Sequence, residues 1–244
     1  MTVYLFVLVI GLGAGAISGV VGTGGSIILL PLLVFHFGAK QAVPIMAVAG
    51  LMANIGKILA WHREVDWRAV AAFGLAGAPA AALGARTLLV LPPQLADTAL
   101  GAFFLLMIPA RHWLQARHFR INLWQLALAG GVIGFLTGVV VSTGPLSVPA
   151  FLSYGLTRGA FISTEAAASL AVFASKVATF REFGALPGTL IMHGLIVGAS
   201  MMAGSVLGKA VVQRMGVGTY NVLLDSMLLI AGLSLLWQAF FPAA

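Results

Sequence analysis

The chain contains no cysteine, and only six of its 244 residues are acidic. Without cysteine there is no disulfide framework, no thiolate metal site and no indication of redox compartment. Charge of either sign is scarce: 8% of residues, against roughly 25% in an average soluble domain. So few charges could not cover a water-facing surface, which excludes a soluble enzyme, a nucleic-acid-binding domain and a disordered protein. A basic n-region is also lacking, because the sequence opens Met1-Thr2-Val3-Tyr4-Leu5-Phe6. The first segment is therefore expected to be a retained membrane helix, not a secretory signal. What fills the chain is apolar: 61% hydrophobic, with a mean hydropathy of +1.07. It reads as an integral membrane protein. The net charge of +7 comes from thirteen Lys and Arg scattered singly between apolar segments, as topology determinants are.

A spanning helix needs about 20 apolar residues. Residues 41–62, 67–91, 95–113, 121–141, 160–180, 187–212 and 218–240 qualify, as does 2–22. The apolar pieces 26–38 and 145–156 are too short to span, and each follows a glycine-rich break. Gly15-Ala-Ile-Ser-Gly-Val-Val21 matches Gly134-Phe-Leu-Thr-Gly-Val-Val140 at a shift of 119 residues, and Leu51 and Lys57 match Leu170 and Lys176 at the same shift. Thr23-Gly24 then pairs with Thr143-Gly144, and Pro31 with Pro149. The expected fold is an all-α polytopic membrane protein of two pseudo-symmetric repeats, 1–117 and 118–244. Each repeat has a Gly-rich broken helix or hairpin and three further transmembrane helices, an organisation characteristic of secondary transporters.

Charge placement orients the halves. If each break is a hairpin, Arg63, Arg68, Arg111, Arg117, Arg120, Arg158, Lys209 and Arg214 share one side, leaving Lys40, Arg86 and Arg181 on the other. If each pair of arms crosses once, the basic residues divide almost evenly. The positive-inside rule favours the hairpin, with the basic linker between the halves, Arg111 to Arg120, cytoplasmic. Three other crossings per half then make the repeats inverted. Trp61, Trp67, Trp113, Trp124 and Trp237, all near segment ends, fit interfacial belts.

The breaks read Gly22-Thr23-Gly24-Gly25-Ser26 and Ser142-Thr143-Gly144-Pro145-Leu146-Ser147. Irregular backbone inside a bilayer survives only where buried in protein or lining a wet cavity. Each break exposes a half-helix N-terminus, whose unsatisfied N–H groups and positive dipole end favour anions. The candidate cradle is Thr23, Gly24, Gly25 and Ser26 from one half, and Ser142, Thr143, Gly144 and Ser147 from the other. For the outer glycines, such as Gly134 and Gly138, close helix packing is the expected role. Neither break is a P-loop or a Rossmann fingerprint.

Gly15 to Ser26 followed by Pro31-Leu-Leu resembles the opening of the sulfite exporter TauE/SafE family, and its recurrence from Gly134 to Pro149 matches that family's two-repeat build. The resemblance covers essentially the whole chain. It implies export of sulfite, or of an organosulfonate such as sulfoacetate, across a bacterial inner membrane. Pro145, standing where the first copy has Gly25, lacks an N–H, so the two cradles differ chemically.

Lys57 and Lys176 occupy equivalent positions and are candidates to guide the anion, with snorkelling to the interface as the alternative. Asn54 lies one turn before Lys57, at a spacing that can share its face, with a plain interhelical hydrogen bond as the favoured alternative. Glu165 and Asp225 lack acidic counterparts in the other half. A proton-coupling role suits an intramembrane carboxylate, whereas solvation near a segment start or pairing with Lys or Arg explains each more simply. His193 is expected to pack. The expected partners are a small anionic substrate and the lipid bilayer, with no nucleic acid; a coupling proton and a second copy of the chain are further candidates. No cofactor, metal or catalytic residue is assigned. The competing functions are an intramembrane enzyme, built by forcing Ser18 and His193 into a dyad, and an accessory subunit without a substrate path.

Overall fold

In a computed structural model of the protein, the structure describes residues 24–116, 120–140, 143–156, 158–212 and 217–241. Thr23, Ser142 and the first long segment lie outside them. Regular structure among the described residues is helical: α1 Gly24–Phe37, α2 Ala39–Trp61, α3 Trp67–Val90, α4 Pro93–Ala116, α5 Leu123–Val139, α6 Gly144–Tyr154, α7 Arg158–Glu182, α8 Gly188–Val212 and α9 Val217–Phe240, with a 3₁₀ turn at His62–Glu64. Runs long and apolar enough to cross a membrane occur in α2, α3, α4 and α7, and shorter apolar runs in α5, α8 and α9. At 1.5 Å per residue, α1 is about 21 Å long and α6 about 17 Å, well short of a roughly 30 Å hydrocarbon core. Both half-length helices stand where the short apolar pieces fell in the sequence.

Local chemistry sets the boundaries. The Asp66 carboxylate accepts from the backbone N–H groups of Arg68 and Ala69 and starts α3. Asn122 and Gln125 form a capping box at the start of α5. Gly155, at φ 105°, ends α6 in a left-handed conformation that a side chain would strain.

Helix α3 packs along α5 and α7, α2 packs against α7 and α8, and α9 packs against α4. The α3–α5 seam is built from glycine. A Cβ on Gly134 would strike the backbone of Gly77, and one on Gly138 the carbonyl of Ala81, so these glycines serve packing, as expected. Such close approach holds α5 rigidly beside the break that follows it.

The helix ends sort into two groups. At one end, the Asp66 N–H donates to Thr164 Oγ1 at 2.9 Å, and Gly159 packs against Trp61 and Glu64. The start of α7 therefore lies beside the α2–α3 turn. At the other end, Lys40 Nζ donates to the Leu89 carbonyl at 3.1 Å, and the Arg86 guanidinium stands 5.0 Å over the Phe183 ring. Trp67, Trp113, Trp124 and Trp237 are exposed close to helix ends.

Candidate functional site

Between α1, α2, α5, α6 and α7 lies a cavity of about 40 Å³. Its lining includes Ser26, Asn54, Lys57, Thr143, Gly144 and Ser147, all singled out in the sequence. That volume is room for about three waters or one small ion. Residues from both halves of the chain meet there, as do the starts of α1 and α6.

The α6 side is the more fully built. The Thr143 carbonyl accepts from the N–H groups of Leu146 and Ser147, so the chain turns helical at once. Pro145 falls in the first turn, where a missing N–H costs no helix bond. The Thr143 hydroxyl is bonded to that of Thr137, which also donates to the Ile133 carbonyl at 2.6 Å. The end of α5 and the start of α6 are thus stitched together across the break.

Lys57 Nζ donates to Asn54 Oδ1 at 3.1 Å, one helical turn away. Both side chains line the cavity, and Asn54 is buried. Asn54 thus orients the lysine. Lys176 is placed differently. It is fully buried and absent from the lining, with Nζ donating at 2.6 Å to both the Thr137 and Val140 carbonyls and lying 5.7 Å from the Phe180 ring centroid. It neither snorkels nor opens onto the cavity. A cation on the last carbonyls of α5 satisfies orphan acceptors and complements the negative end of the helix dipole.

Three lining residues outside the expected cradle complete the polar wall: Glu165, Ser169 and Thr137. Glu165 is buried, 5% exposed, which removes the expectation of a solvated side chain. Its Oε1 accepts from Ser147 Oγ at 3.1 Å and from Ser169 Oγ at 3.0 Å. The spacing of Glu165 and Ser169, four residues apart on a long apolar segment, was the available sequence signal. Asp225, by contrast, pairs with Arg111 at 2.7 Å and with His112 at 2.8 Å, joining α9 to α4 away from the cavity. His193 packs against the Phe37 ring.

The profile of the sulfite exporter TauE/SafE family matches residues 7–235. The chain belongs to that family. The family is one of transporters, not of enzymes, and this sets aside the Ser18–His193 dyad. A Xylella fastidiosa (strain Temecula1) protein described as a "Probable membrane transporter protein" is 27% identical over 173 residues, 62% of this chain. The chain spans 64% of that relative's length. No solved structure matches the TauE/SafE chain.

Proposed function

We propose that this TauE/SafE protein is a secondary transporter that exports a small sulfur oxyanion or organosulfonate across a bacterial inner membrane. The anion sits near the membrane midplane, between the N-termini of α1 and α6. The observation that carries this proposal is the convergence of Ser26, Asn54, Lys57, Thr143, Gly144 and Ser147, from distant parts of the sequence, on one buried cavity. Hydroxyl donors, a lysine and two helix starts in one low-dielectric space make a site that prefers anions to cations or neutral solutes. In this reading Thr23, Gly24, Gly25 and Ser142 complete the cradle, and Lys176 holds the broken end of α5 in place.

Two inverted repeats, 1–117 and 118–244, account for the packing as well. Exchanging the halves turns the α2–α8 contact into the α7–α3 contact, and the α1–α9 contact into the α6–α4 contact; both members of each pair occur. Counterflow into proteoliposomes tests the function, using sulfite, sulfoacetate, sulfate, an amino acid and a sugar. Movement of sulfite or sulfoacetate without the last two supports the proposal. Movement of the amino acid or sugar alone overturns it.

A further inference from the structure

The buried carboxylate of Glu165 is an odd neighbour for an anion. It lines the same small cavity as Lys57, and its Oε1 is held by the hydroxyls of Ser147 and Ser169. With Glu165 ionised and Lys57 protonated, the cavity is close to neutral. An entering anion would place two negative charges beside one cation in a space with room for only a few waters, where charges are poorly screened. Uptake of one proton by Glu165 removes that conflict. It also frees a donor: a protonated carboxyl no longer needs the Ser147 hydroxyl, which can then turn to the anion from the first turn of α6. We infer that Glu165 is the proton-binding site of the transporter, and that one proton and one anion bind together and cross in the same direction, so that export runs on the outward gradient of the anion and is opposed by an inward proton gradient. The inference rests on the transport reading above and adds its coupling ion.

The surrounding charges leave Glu165 and Lys57 as the pair that decides the local balance. Among the described residues, these are the two titratable groups that line the cavity. On the elements packed against α7, Lys40 sits at the far end of α2, and His62, Arg63, Glu64, Arg68 and Arg86 are exposed or at helix ends. Asp66 is committed to the cap of α3, with Tyr154 of α6 beside it. On α7 itself, Lys176 is engaged with carbonyls, and Arg181 and Glu182 are exposed at its last turn.

The test uses methanesulfonate, a small sulfonate that stays ionised at every accessible pH, so any proton that moves belongs to the protein. In proteoliposomes of the full chain, an acid-inside pH gradient should drive methanesulfonate out, with internal alkalinisation of about one proton per anion. Binding in detergent should be about 5- to 150-fold tighter in acidic than in alkaline buffer. Glu165→Gln should bind with one affinity at all pH values and lose gradient-driven flux. Glu165→Asp keeps a titratable group and should retain coupling, which also guards against a Gln variant that fails to fold. Wild-type methanesulfonate flux without proton movement, or unchanged coupling in a folded Glu165→Gln protein, overturns this inference and leaves the transport reading intact. No anion movement by the wild type at any pH overturns both.

Discussion

Lys57 and Lys176 hold equivalent sequence positions, yet their side chains do different work. Lys57 opens onto the cavity with Asn54 accepting from it, whereas Lys176 spends two hydrogen bonds on the Thr137 and Val140 carbonyls. Substitution should therefore separate them. Lys176→Met leaves two buried acceptors without their partner, at about 1–3 kcal/mol each. Its expected signature is a thermal midpoint lowered by several degrees in detergent, with affinity for the anion preserved in the fraction that stays folded. A Lys176→Met protein of unchanged stability and sharply weakened anion binding would instead put this lysine in the anion path. The sequence could not distinguish the two, because hydropathy locates a lysine along a segment but not the carbonyls it meets. Glu165 was obscure for a related reason: its place near the start of a segment suggested water, and burial by α6 comes only from tertiary packing.

At the scale of elements, helices were legible wherever hydrophobic length decides the outcome. The half-length α1 and α6 and the seven longer segments all fall close to their sequence positions, because each limit is set by an apolar run, a cap or a glycine. Which helices touch was not legible from length. It depends on small-residue surfaces, and the α3–α5 seam shows how. Gly134 admits no side chain against the backbone of Gly77, while Gly131, three residues earlier on the same helix, has nothing within 4 Å of a Cβ position. Gly134→Val should force the helices apart and cost at least about 1–3 kcal/mol, whereas Gly131→Ala should be tolerated. Comparing their thermal midpoints in detergent checks the seam directly. Equal midpoints would mean that α3 and α5 do not lie this close.

For the whole molecule, the grouping of helix ends bears on topology. The start of α7 lies by the α2–α3 turn, and its last turn lies by Arg86 at the end of α3. That arrangement agrees with breaks that return to the side they left, because single crossings would place Arg158 opposite Arg63 and Arg68. With the linker cytoplasmic, a membrane-impermeant thiol reagent should label Gln41→Cys from outside and His62→Cys from inside, against a background free of native cysteine. The reverse pattern would invert the orientation, and labelling of both from one side would contradict a crossing by α2. The central claim is that the anion is held in the cavity between the two helix starts. Its most direct measurement is the concentration dependence of sulfite flux in proteoliposomes for the wild type, Ser26→Ala and Lys57→Met, each verified as folded. Losing a charge-assisted hydrogen bond of about 1.5–3 kcal/mol should raise the half-saturating sulfite concentration about ten- to a hundredfold in each variant, with the maximal rate largely retained. Saturation curves that overlay the wild type in both variants would contradict the account and place the anion elsewhere.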